Sequence, residues 1–405
     1  MNTEEIGRNF NAVIYLISCH LNGRVADREL LSHVSINDIY SAAVRHSLDA
    51  LVTTALEAAG FSSPKAAEKK LLAIRKNMLF DSARAEILSR LEEKGIKYMP
   101  LKGVIMKELY PSVGLRQMSD NDILFDAAYR ADVRDIMTDL GYYVKLYEFS
   151  NQDVYMKDPV LNFEMHVALF TDDHSKTFED YFSVAFDRAV SDGVSKFGYK
   201  MTDEDFYVFM KAHEYKHYTH NGTGLRSLVD VYVYLRSKGD SLDYDYVKAE
   251  CEKLGAGNYE VVSIADYEAV TRDLAMHIFD PEVAKALVEA DRGNGASPIS
   301  VDERNLLNTF IDSATYGTQE ISLNNLLDRK KREENISAGA AKRRFFIRLI
   351  FPDMDYYRTK CPDIDRKKYL IPVIWLKRGF AAVFKRPKGT YGYFKRIFKA
   401  KSKDK

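Results

Sequence analysis

The sequence predicts an α+β fold: a mixed-sheet α/β unit with helical regions on both sides. Two observations predict it. Between about residues 96 and 169 the apolar pattern shortens to strand-length runs rich in aromatic and branched residues, whereas before and after that window it repeats at helical spacing. The chain is also 405 residues long, and single hydrophobic cores rarely grow beyond about 250–300 residues. More than one structural region is therefore expected.

Taken in order, Ile6, Phe10, Val13, Ile14 and Ile17 mark a first helix, and a second runs from about Asn37 to Ala59 and stops at Gly60. Ser63-Pro64 reads as an N-cap followed by proline at the first helical position. That helix extends to about Lys94, with Leu71, Ile74, Met78, Ala85, Leu88 and Leu91 among its apolar positions, and Gly95 ends it. Ile96–Leu101 is a short strand-like run, Val104–Leu109 a short helix stopped by Pro111, and Ile123–Phe125 a strand-length segment. An amphipathic helix over Tyr129–Leu140 ends at Gly141, and three strand-like runs follow at Tyr142–Phe149, Asp153–Met156 and Leu161–Leu169. After about residue 200 helical periodicity returns near 203–220, 225–237, 243–254 and 257–277. The expected organisation is a helical region over 1–75, an α/β unit over 76–200, a helical domain over 201–335 and a basic, aromatic-rich tail over 336–405.

Composition excludes several classes. With 59 Lys+Arg against 59 Asp+Glu, 21 Gly and 10 Pro, the chain is not collagenous, disordered or a disulfide scaffold. Cys19, Cys251 and Cys361 are far apart and form no C-x-x-C pair, so a reducing compartment is the expectation. The longest suspicious apolar stretch, Tyr369–Leu376, is far short of the ~20 residues of a spanning helix, and the N-terminus has acids where a signal peptide needs positive charge. The zero net charge conceals an asymmetry: from Ala341 onward there are 20 Lys+Arg and 5 Asp+Glu, leaving 39 and 54 in the rest. Such a tail suits an anionic partner, whether its own acidic body, a phosphorylated substrate, a nucleic acid or a lipid surface. Its basic residues interleave with Phe, Trp, Ile, Leu and Val, which favours an anionic membrane surface over nucleic acid. The expected location is cytoplasmic, peripheral to the membrane through this tail.

The chemistry concentrates in Leu101-Lys102-Gly103 and in Leu115 to Phe125, which contains Ser119-Asp120-Asn121-Asp122. Residues i and i+2 of a strand share a face, so Asp120 and Asp122 present two carboxylates side by side. Carboxylates that close repel, and the pKa of at least one rises. A divalent cation removes that penalty, and Mg²⁺ is commonly held by one or two carboxylates together with substrate phosphates. Glu164, flanked by Phe163 and Met165, is a candidate third acid and shares a strand face with His166.

These residues resemble the nucleotidyltransferase fold of DNA polymerase β and the aminoglycoside nucleotidyltransferases. They look most like the bacterial group of uncharacterised nucleotidyltransferases: Leu101-Lys102-Gly103, Tyr110-Pro111, Leu115-Arg116-Gln117-Met118-Ser119-Asp120-Asn121-Asp122-Ile123-Leu124, and Glu164-Met165-His166. Asn121 stands where relatives carry an apolar residue, and Val104 follows Gly103 where better-studied enzymes have Gly or Ser. The resemblance implies a Mg²⁺-dependent transfer of NMP from an NTP to a hydroxyl or phosphate acceptor, with release of pyrophosphate. It implies that Asp120, Asp122 and Glu164 are the catalytic and metal residues, Glu164 completing a second metal site or acting as base. Lys102, Gly103, Arg116 and Ser119 are the implied nucleotide-binding residues. The alternative is a non-catalytic protein that keeps the fold and binds nucleotide or membrane.

His213, His217 and His220 fall at i, i+4 and i+7. That spacing can ligate zinc, but no cysteine lies nearby, and packing against the α/β unit is favoured over it. His166, His213 and Asp230 are the candidate substrate-cleft residues.

Overall fold

The computed structural model describes residues 3–171, 175–255, 262–315, a few isolated positions between 337 and 364, and 366–380. It falls into two compact units, residues 1–218 with 223–316, and residues 219–222 with 317–405. The first begins with helices α1 (Thr3–Leu21), α2 (Ile36–Arg45), α3 (Asp49–Ala58) and the long α4 (Pro64–Lys94). The α/β part follows as β1 (Tyr98–Pro100), α5 (Gly103–Met106), β2 (Asn121–Phe125), α6 (Arg130–Asp139), β3 (Tyr143–Leu146), β4 (Gln152–Lys157) and β5 (Leu161–His166). Two short helices, α7 (Lys176–Phe182) and α8 (Ala185–Arg188), and the small hairpin β6 (Val190–Ser191) and β7 (Tyr199–Lys200) lead to the second helical set. That set is α9 (Asp203–His220), α10 (Leu225–Lys238), α11 (Tyr244–Leu254), α12 (Ile264–Ile278), α13 (Pro281–Asp291) and α14 (Val301–Ser313). Mixed α+β architecture is thus what the chain adopts.

The five-stranded sheet has the order β1-β2-β5-β4-β3, in which β2 and β5 are parallel and the other neighbours antiparallel. Strand alternation separates its two faces. Ile123, Phe125, Phe163, Met165 and Tyr155 point to one core, where Phe80, Ile87 and Leu91 of α4 and Val133 and Ile136 of α6 cover them. Each such side chain stabilises the fold by about 1.5–3 kcal/mol on burial. Leu124 points the other way, with Met99 and Leu101, into a larger core that continues through α1, α3, α9, α10 and α12. The acids lie on this second face.

Local signals set α4 closely. Ser63 Oγ accepts from Ala66 N–H, Pro64 opens the first turn, and Gly95 closes the helix at φ 68°. Its buried face is Ala73, Asn77, Phe80, Ile87 and Leu91, whereas Leu71 and Met78 are exposed. The helix carries two apolar stripes, and packing chose the one containing Phe80. The single helix expected over 37–59 is instead α2 and α3, broken at His46-Ser47-Leu48. Ser47 adopts φ 54°, and the buried His46 ring accepts at Nδ1 from Leu225 N–H at 3.0 Å. A contact 179 residues away in sequence makes that break. Helix α1 also departs from a one-sided stripe: Ala12, Val13, Ile14, Leu16 and Ile17 are all fully buried, so it is a central helix.

In the second unit a helix spans Ile371–Phe380. Phe345, Phe346 and the Tyr391–Lys399 run of the tail lie outside the described residues. Among the described residues no helix is long and apolar enough to cross a membrane.

Candidate active site

The parallel pairing of β2 and β5 places Asp122 directly opposite Glu164. Because both strands alternate with period two, His166 shares their face, and its Nε2 lies 2.8 Å from Asp122 Oδ1. Asp122, Glu164 and His166 each offer a donor atom within 4.8 Å of the others. Gln152 on the neighbouring β4 donates from Nε2 to Glu164 Oε2 at 2.5 Å. Asp120 precedes β2 on the same alternation and lies near enough to oppose ionisation of Glu164.

The turn after β1 is tied to this strand. Leu101 N–H donates to the Asp122 carbonyl at 3.0 Å. Lys102 then adopts φ 44° and ψ −111°, a region that costs a residue with a Cβ about 1–3 kcal/mol. Its ammonium donates to Asp122 Oδ1 at 3.1 Å. Gly103 has a different reason to be glycine. A Cβ there would meet Arg116 Nη1 at 2.6 Å and Met118 Sδ at 2.8 Å, so the side chains of the following loop already occupy that space.

The charges are unequal. Burial alone would raise the pKa of Asp122, but the Lys102 ammonium and the His166 hydrogen bond outweigh it and hold the carboxyl below the usual range. Asp120 is pushed up by burial and by Asp122. Glu164 is pushed up to about 7 by burial, then by Asp122 and Asp120. Burial lowers His166 despite its bond to Asp122. From α9, Lys216 is lowered to about 8 by burial and by Lys102, while Asp122 and Glu164 pull it back. His213 is lowered well below the ordinary histidine value by burial, with Lys102, His217, Lys216 and His166 adding to the effect. Helix α9 therefore brings Lys216 and His213 to the carboxylate cluster. His213 and His217 face each other with Nε2 atoms 3.2 Å apart.

Arg116 and Asp230 find each other. Arg116 Nε and Nη2 donate to the two Asp230 oxygens at 2.9 and 2.8 Å, and Tyr110 Oη donates to Asp230 Oδ1 at 2.7 Å. This bidentate pair clasps α10 to the loop before β2. Beneath the loop, α4 supplies polar supports: Lys76 Nζ to the Ser119 carbonyl at 3.5 Å, Asn77 Nδ2 to the Arg116 carbonyl at 3.2 Å, and Arg84 Nη1 to Asn121 Oδ1 at 3.0 Å. The last contact explains a polar residue between the two acids, since Asn121 points away from them toward α4. Sequence reasoning missed Gln152 and Lys216. Lys216 lies on the helical face of His213, His217 and His220, a signal that was present in the spacing. Gln152 becomes visible only once β4 is known to pair with β5.

The profile of a family described as uncharacterised nucleotidyltransferase matches residues 32–265, more than half of the chain. The protein belongs to this nucleotidyltransferase family. The match runs from the start of α2 region through α11 into α12, so the family unit includes helices on both sides of the sheet. No curated protein and no solved structure matches the chain significantly. The donor set of this family member suits a divalent cation: two carboxylates and an imidazole converge, a third carboxylate stands beside them, and Glu164 is pushed toward its neutral form by burial and then by the other two acids. The buried Nδ1 of His166 also has no hydrogen-bond partner.

Proposed function

We propose that this nucleotidyltransferase family member moves NMP from an NTP to a hydroxyl or phosphate acceptor, with Mg²⁺ at Asp120, Asp122 and Glu164. The observation that carries the reading is the placement of Glu164 opposite Asp122, with donor atoms of Asp122, Glu164 and His166 within 4.8 Å of one another. When bound, the metal supplies charge stabilisation to the triphosphate and the leaving pyrophosphate. Glu164 has Oε2 held by Gln152, which leaves Oε1 to take the proton of the attacking hydroxyl. Lys102 and Lys216 add positive charge where phosphates would lie, and His213 borders the acceptor side. Arg116 and Asp230 hold the loop that carries Asp120, and act through that position. In this reading residues 76–200 form the catalytic unit, and helices α9–α14 are the described part of the helical domain that begins at residue 201; residues 316–335 of that expected domain lie outside the described residues.

Pyrophosphate release with each of four NTPs against a metabolite and nucleic-acid acceptor panel tests the reading. Turnover that requires a divalent ion and disappears in Asp122→Asn is the expected result. A protein that binds Mg-NTP without turnover, or whose nucleotide binding ignores Asp120→Ala, is instead the non-catalytic alternative.

The tail supports a second contact, with an anionic membrane surface. Val373 and Leu376 of the helix at Ile371–Phe380 are 46% and 62% exposed, and Tyr369 in the 3-10 turn before it is 73% exposed, in a segment rich in lysine and arginine. Each basic residue near such a surface contributes about 1 kcal/mol. Full-length protein should pellet with anionic vesicles at low salt, and a chain ending at residue 340 should not. Equal pelleting of the two removes the membrane role. A cytoplasmic location is supported by the unpaired, buried Cys19 and Cys251.

A further inference from the structure

The glycine and the strained backbone of the Leu101-Lys102-Gly103 turn are one residue apart. Gly103 is glycine because Arg116 and Met118 fill the space of a side chain. The positive φ falls on Lys102. A glycine at position 102 would adopt φ 44° and ψ −111° without strain, so what lysine adds there is its side chain. The turn holds it firmly: Leu101 N–H is bonded to the Asp122 carbonyl, and the Lys102 carbonyl accepts from Ile105 N–H at 3.1 Å and Met106 N–H at 2.9 Å. The backbone strain and the ammonium therefore come as one device, which delivers a positive charge to Asp122.

That charge lands on the group that the metal would use. Lys102 Nζ and His166 Nε2 both sit on Asp122 Oδ1, at 3.1 and 2.8 Å. Asp122 is also the acid common to the pairing with Glu164 and to the group of three donor residues. Its side chain is only 7% exposed and that of Lys102 21%, so water screens the pair poorly. Two cations against one carboxylate in such a place repel each other.

We propose that Lys102 is a resident counter-ion that competes with the divalent metal for Asp122 and is given up to nucleotide phosphates. Metal alone then binds weakly, and metal and nucleotide load together. Phosphate oxygens offer the displaced ammonium a new partner, and by linkage each ligand tightens the other equally. This inference rests on the metal and nucleotide reading above and adds the order of loading.

The test is calorimetric titration of full-length protein with Mn²⁺, with and without a non-hydrolysable NTP analogue. It compares the wild type with Lys102→Met, Lys102→Gly and Asp122→Asn. Without nucleotide, both Lys102 variants should bind Mn²⁺ roughly tenfold tighter than the wild type, as expected when a like charge is removed from a poorly screened site. With Mn²⁺ present they should bind the analogue more weakly, and the mutual tightening of metal and nucleotide should shrink. Lys102→Gly also removes the strain, which offsets part of the cost of leaving Asp122 without its ammonium, so it should melt above Lys102→Met and remains informative if Lys102→Met does not fold. Unchanged or weaker Mn²⁺ binding by folded Lys102→Gly overturns the competition while leaving the metal site standing. Mn²⁺ binding that survives Asp122→Asn unchanged overturns the metal site itself, and with it this inference.

Discussion

Helix α9 sends lysines toward two buried polar clusters that are finished in opposite ways. Lys211 is fully buried; its Nζ donates to Glu214 Oε2 at 2.7 Å and Thr271 Oγ1 at 2.6 Å and lies 4.9 Å from the Tyr267 ring centroid. Tyr267 Oη donates to the other Glu214 oxygen at 3.0 Å, while Glu268 is held by Tyr207 and Arg272. In that cluster two cations meet two carboxylates and the hydroxyls complete them. One and a half turns later Lys216 faces Asp122, Glu164 and Lys102, where three carboxylates crowd together and Glu164 is pushed up to about 7. A closed network gives a unique packing between α9 and α12. An unbalanced one keeps a standing demand for cations, which is how binding sites differ from structural ion pairs.

The contrast can be broken by substitution. Glu164→Gln should lower turnover by about 10²–10⁴-fold, the usual worth of a positioned base. It should leave the melting temperature unchanged or raised, because a carboxyl disfavoured by burial loses nothing on becoming an amide. Lys211→Met should do the reverse: a loss of about 3–5 kcal/mol in urea unfolding, since Glu214 is left buried without its cation, with turnover per folded molecule retained. A Lys211→Met protein of normal stability that no longer binds nucleotide would erase the distinction.

Acid sharpens the comparison for closed sites. Burial lowers the pKa of His46 to about 3, whereas in the unfolded chain it protonates from about pH 6.5 downward. Stability from this group is therefore complete above about pH 6.5 and falls as pH drops toward 3, by up to about 1.4 kcal/mol per pH unit. His46→Gln should flatten that part of the stability–pH curve, measured by denaturant unfolding at several pH values. A curve of unchanged slope would show that His46 does not carry it. The smallest effect belongs to the start of α4. Ser63→Ala should cost about 1 kcal/mol by removing a cap, lowering the urea midpoint without altering metal or nucleotide binding. A loss of binding there would show that the supports α4 gives to the Asp120 loop are not independent of its first turn.

The acids of the site were readable because strand geometry is local. Asp120 and Asp122 share a face by alternation, as do Glu164 and His166, and the surrounding motif indicated the family. The same sequence marks α4 from Ser63-Pro64 to Gly95, since caps involve residues three or four apart. Tertiary structure decided the rest. It selected the Phe80 stripe of α4 over the Leu71 stripe, because only one could meet the sheet. It broke the second helix at His46 to bond an amide of α10, and gave Arg116 to Asp230, 114 residues away in sequence. It put the positive φ on Lys102 rather than on the adjacent glycine, and it set Gln152 beside Glu164 through the register of β4 on β5. In each case the deciding group lies far along the chain, so neither periodicity nor propensity, which sum over neighbours, contains the information.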